Sequence, residues 1–64
     1  MRVNGEEKSL NGGTALEDFL VREGYDITRI AVEKNGVIIP KASFESEVLN
    51  ENDRLEIVTF VGGG

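Results

Sequence analysis

The chain has 64 residues, a formal charge of −5 from twelve acidic and seven basic side chains, and neither cysteine nor histidine. That length holds a single domain with a thin core, because so short a chain buries only about 60% of its unfolded surface. No disulfide or thiol chemistry is available, and the commonest general base and metal ligand is missing, so little remains with which to hold zinc or run a catalytic triad.

The acidic balance disfavours a phosphate backbone as partner and suits a protein with a basic surface, although it serves solubility equally well. No segment approaches the roughly 20 apolar residues of a membrane-spanning helix, so no membrane partner is expected. The start, Met1-Arg2-Val3-Asn4-Gly5, lacks the apolar stretch of a signal peptide, and the expected location is the cytoplasm.

Met1-Arg2-Val3 alternates apolar and polar and runs into Asn4-Gly5, a dipeptide that accepts positive φ at both positions and so predicts a hairpin, with a return strand over 6–10. Asn11-Gly12-Gly13 breaks the chain. Thr14-Ala15-Leu16-Glu17 fits a capping box with Thr14 as N-cap, and predicts a helix over 14–23. Leu16, Phe19 and Leu20 form its apolar stripe, Glu17 and Asp18 place negative charge in its first turn, and Gly24 is its left-handed stop.

A strand over 30–33 turns Ile30 and Val32 inward, Asn35-Gly36 makes a second hairpin turn, and Val37-Ile38-Ile39 closes at Pro40, the only proline. The stretch 42–49 is turn-rich, with Phe44, Val48 and Leu49 placed to plug one end of the core. The clearest strand spans 54–60, with Leu55 and Ile57 on one face and Glu56, Val58 and Phe60 on the other. Three glycines follow Val61. The order predicts one helix across one face of a mixed sheet, with the first and last strands parallel at its centre.

This order resembles the β-grasp, ubiquitin-like fold: an α+β mixed sheet of four to five strands with one main helix packed on one face. More narrowly the chain resembles the ThiS family of sulfur carriers of thiamine biosynthesis, over its whole length. The carrying residues are the start Met1-Arg2-Val3-Asn4-Gly5, the middle Ile30-Ala31-Val32-Glu33-Lys34-Asn35-Gly36 with Ile39-Pro40, and the end from Asp53 to Gly64. The small subunit of molybdopterin synthase shares fold and ending but places proline before its glycines, where this chain has Phe60-Val61.

The resemblance implies a carrier and not an enzyme, with a β-grasp domain over 1–60 and a flexible glycine tail over 61–64. It binds no cofactor of its own. A ThiF-like adenylating enzyme would use ATP on the Gly64 carboxylate, a cysteine desulfurase system would supply sulfur, and thiazole synthase would receive it from the thiocarboxylate. A sulfur carrier for molybdopterin or amino-acid synthesis, and a ubiquitin-like protein modifier, remain the alternatives.

The residues themselves allow such chemistry. A terminal glycine carboxylate is ionised at neutral pH and becomes a good acyl donor once activated. Gly62 and Gly63, with no Cβ, would let the tail thread a narrow channel, and four extended residues reach at most about 14 Å. Behind them Val58, Phe60, Val61 and Ala31 form a candidate apolar docking surface, joined by Glu56 and Asp53 as charged contacts. The strand pattern leaves two positions open to Phe60: exposed on that surface, or folded back over the core edge.

Overall fold

A computed structural model describes residues 1–10 and 12–61. The central sheet contains β1 (Arg2–Val3), β2 (Glu6–Glu7), β4 (Ile30–Lys34), β5 (Val37–Ile39) and β7 (Arg54–Thr59), in the spatial order β2-β1-β7-β4-β5. β3 (Thr14–Ala15) and β6 (Val48–Leu49) form a separate antiparallel ribbon, and one α-helix, α1 (Leu16–Arg22), follows β3. β1 runs parallel to β7, and the remaining pairs of the sheet are antiparallel. This is the β-grasp arrangement, with five strands in its mixed sheet.

Both hairpins turn on Asn-Gly. Asn4 and Gly5 have φ of 51° and 83°, and Asn35 and Gly36 have 52° and 84°. Two consecutive positive φ values give the turn whose twist matches that of the flanking strands, and asparagine tolerates the first position better than any β-branched residue.

The core lies between α1 and one face of the sheet. Leu16, Phe19 and Leu20 from the helix meet Val3, Ile30, Val32, Leu55 and Ile57 from the strands, and Phe44 and Leu49 close one end. α1 stops as its sequence predicts. Gly24 takes φ +85°, its N–H bonds the Val21 carbonyl, and the Tyr25 N–H bonds the Leu20 carbonyl, so these two carbonyls of the last turn are satisfied.

The N-cap lies one residue later than the capping box predicts. Thr14 lies in β3, opposite Leu49, and Ala15 takes the N-cap position. The amides that a capping side chain would serve bond to the main chain instead: Leu16 N–H donates to the Glu47 carbonyl at 2.8 Å and Glu17 N–H to the Phe44 carbonyl at 2.9 Å. A long-range backbone partner has replaced a local one.

The β3–β6 ribbon also corrects the reading of Val48. Strand alternation turns Leu49 fully inward and leaves Val48 46% exposed, so only Phe44 and Leu49 plug the core. The return strand over 6–10 shortens to Glu6–Glu7, with one further rung from Lys8 N–H to the Met1 carbonyl. Of the predicted chain break, Asn11 lies outside the described residues.

Candidate functional site: the outer face and end of the last strand

β7 is the sheet's centre, with β1 on one side and β4 on the other. Successive residues alternate in the faces they address and in the neighbours their main-chain groups address. Leu55 and Ile57 are buried against the core, while Glu56, Val58 and Phe60 point outward and are exposed. Ala31 stands directly opposite Val58 on β4 and is also exposed. Val58 is 59% exposed, Phe60 53% and Val61 91%, so Phe60 takes the exposed one of its two positions.

The strand's end is held firmly up to Phe60. Ile30 pairs with Thr59, and Phe60 N–H donates to the Arg29 carbonyl at 2.7 Å, one residue past the strand itself. Val61 follows in the open. Gly62, Gly63 and Gly64, the residues assigned to threading and covalent chemistry, lie outside the described residues.

Two asparagines clamp this strand, a role beyond the turn formation that Asn-Gly signals in the sequence. β1 ends at Val3, yet its ladder continues: Asn4 N–H donates to the Leu55 carbonyl at 2.9 Å. The Asn4 side chain then supplies two more rungs. Its Oδ1 accepts from Ile57 N–H at 2.7 Å, and its Nδ2 donates to the Ile57 carbonyl at 3.2 Å. Asn35 holds the strand's start with one main-chain and one side-chain bond: its Oδ1 accepts from Arg54 N–H at 2.9 Å and its Nδ2 donates to the Asp53 carboxylate at 3.0 Å. A carboxamide can do this because it carries donor and acceptor together, whereas aspartate has only acceptors.

The electrostatics divide the charged candidates. Glu56 sits directly opposite Glu33 across β4–β7, both are exposed, and neither forms an ion pair among the described residues. Asp53 is instead committed internally. Burial pushes its carboxyl up, but bonds from Asn35, from the Asn50 amide and from Lys34 outweigh this and hold it below the usual range. Lys34 Nζ also bonds Glu47 at 2.6 Å and the Val48 carbonyl at 2.9 Å, and the Glu47 bond leads the influences that raise its pKa. Asp53 and Lys34 therefore fasten β4, β6 and β7 together and contribute no free charge to the face.

The outer face extends further than the sequence suggests. Ile38, 72% exposed, stands opposite Glu33 on β5, and exposed Pro40 follows the same alternation. Three consecutive apolar residues, Val37-Ile38-Ile39, gave no alternation from which to tell inner from outer. Among the described residues no group of acidic side chains is placed to hold a metal ion, and no helix is long and apolar enough to cross a membrane.

A β-grasp sheet whose last strand ends in an exposed apolar face and leads into glycines defines a protein of the ubiquitin-like class. The chain belongs to the ThiS family, whose model matches residues 1–64. It is 42% identical over 62 residues to a protein named thiazole synthase from Paramagnetospirillum magneticum, covering 97% of this chain and 19% of that protein. A thiazole synthase from Magnetococcus marinus is 36% identical over 64 residues, covering all of this chain and 20% of that one. The chain thus spans about a fifth of the length of these relatives. Its fold matches the crystal structure of a thiamine biosynthesis protein (ThiS) from Geobacter metallireducens with a TM-score of 0.81, at 23% identity, over 98% of this chain and 96% of that one.

Proposed function

We propose that this chain is a sulfur carrier of thiamine biosynthesis, acted upon at the α-carboxylate of Gly64 and itself no catalyst. Its membership of the ThiS family supports this most strongly. The form of the site agrees: a strand clamped by Asn4 on one side and Asn35 on the other, an exposed apolar end, and then Val61-Gly62-Gly63-Gly64 in the sequence. In two relatives a segment like this chain shares one polypeptide with a protein named thiazole synthase. That the two share a polypeptide there favours thiazole formation over the molybdopterin, amino-acid and protein-modifier readings.

The chemistry proceeds in three balanced steps. A Gly64 carboxylate oxygen attacks the α-phosphorus of ATP in a ThiF-like enzyme, and pyrophosphate leaves. A persulfide from a cysteine desulfurase system attacks the acyl carbon, and AMP leaves with the electrons of the C–O bond. A thiol of a partner then cleaves the S–S bond and frees the thiocarboxylate. This chain has no cysteine, so that thiol belongs to a partner. Val58, Phe60, Val61 and Ala31 dock the body, Glu56 faces basic groups, and the glycines carry the carboxylate inward.

The reading requires a free carboxylate on Gly64, so the intact mass of the chain as the cell makes it is the first check. Incubation with the adenylating enzyme, ATP and a sulfur source should then add the mass difference between sulfur and oxygen. No gain, under conditions that convert a known carrier, would refute the assignment.

A further inference from the structure

β7 has neighbours on both sides only as far as Ile57. Residues 54, 56, 58 and 60 turn their main-chain groups toward β4, and 55, 57 and 59 turn theirs toward β1. The observed bonds fit this alternation: Phe60 N–H reaches Arg29 on one side, while Leu55 and Ile57 are bonded by Asn4 on the other. β1, however, ends at Val3, and the Asn4 carboxamide is the last group on its side. Beyond it the N–H and carbonyl of Thr59 point to the β1 side with no partner there among the described residues, and Val61 N–H is next in that series. The centre of the sheet thus becomes an edge at the point where the chain leaves it.

We propose that a strand from the adenylating enzyme adds to this short edge at Thr59–Val61 and so sets the line along which the glycine tail enters. The inference rests on the sulfur-carrier reading above and says how the enzyme grips the chain. Two observations select this occupant. The edge is continuous with the tail that the enzyme must receive. The side chains beside it are apolar Val58 and Phe60 and unpaired acidic Glu56, on a chain of charge −5, which suits a segment alternating apolar and basic residues. A second copy of this chain would bring the same negative charge to the same place.

Hydrogen exchange and backbone chemistry test this directly. The Thr59 and Val61 amides should exchange fast in the free chain and become protected in its complex with the adenylating enzyme and ATP. A synthetic chain carrying N-methyl-Thr59 should melt at the wild-type temperature and bind the enzyme roughly tenfold more weakly, the expected effect of one lost hydrogen bond. N-methylation of Ile38, whose N–H points outward from the β5 edge, should leave binding unchanged. The proposal is overturned if both amides stay fast in the complex, or if N-methyl-Thr59 folds and binds as wild type. Loss of binding on methylating Ile38 instead would also overturn it. So would protection that appears on concentrating the chain alone, which would mark a second copy as occupant. Failure of the sulfur-carrier reading is read separately, as no mass gain on the unmodified chain.

Discussion

Asn4 carries more structure than its exposed turn position suggests. It supplies two side-chain hydrogen bonds to Ile57 and holds φ at 51°. Asn4→Gly keeps the backbone preference and loses both bonds, for an expected cost of about 1–3 kcal/mol in urea unfolding. Asn4→Ala should cost about 1–2 kcal/mol more, because alanine adds a left-handed penalty that glycine escapes. Equal losses in the two variants would show that the turn backbone carries no strain. Asp53 makes a prediction of the same scale in pH. Its folded-state pKa is lowered, so its contribution is complete above the unfolded value near ~3.9 and is lost as pH falls through the folded value. Asp53→Asn should lower stability at neutral pH and flatten the fall below about pH 4. The Lys34 contribution has the opposite sense: its pKa is raised, so it persists to alkaline pH and fades as pH climbs through the raised value.

At the scale of elements, the outer face of β7 and β4 is separable from the core beneath it. Phe60→Asp should change stability by no more than about 0.5 kcal/mol, since the ring is 53% exposed, and should weaken binding to the adenylating enzyme. Unfolding instead would show that the ring holds the core edge. Glu33→Gln relieves the carboxylate pair opposed across the two strands and should raise the melting temperature slightly.

Much of this was legible because local signals and the global fold agree. Asn4-Gly5, Asn35-Gly36 and Gly24 specify their own backbone, and Leu55 and Ile57 alternate plainly within their strand. What escaped depends on distant partners. The start of α1 is set by carbonyls of Phe44 and Glu47 some thirty residues on, which no local window contains. The β3–β6 ribbon pairs two-residue strands, too short for a period to show, so the sequence alone points Val48 inward and offers Thr14 as a cap. The outer-face residues of β7 could be named from alternation, but Ile38 and the asparagine clamps could not. Their roles exist only once strands lie side by side.

The whole molecule has little stability in reserve. A core of this size supplies only ~3–5 kcal/mol, and truncating a buried aromatic residue costs about as much. Phe44, 1% exposed, closes the end of the core and accepts a helix amide through its carbonyl. Phe44→Ala should therefore leave much of the chain unfolded at room temperature by circular dichroism. A cooperative native melt in that variant would show that the far end of the core can collapse around the gap.

The placement of β7 also orders events in time. Its partners β1 and Asn4 lie more than fifty residues earlier in the chain, so the sheet cannot close around its middle until residues 54–59 have been made. Contacts that distant slow folding relative to a helical chain of equal length. An incomplete or misfolded copy would lack the clamped strand that aims Phe60 and Val61 outward. An enzyme that reads that strand would thereby select finished domains before committing ATP to them.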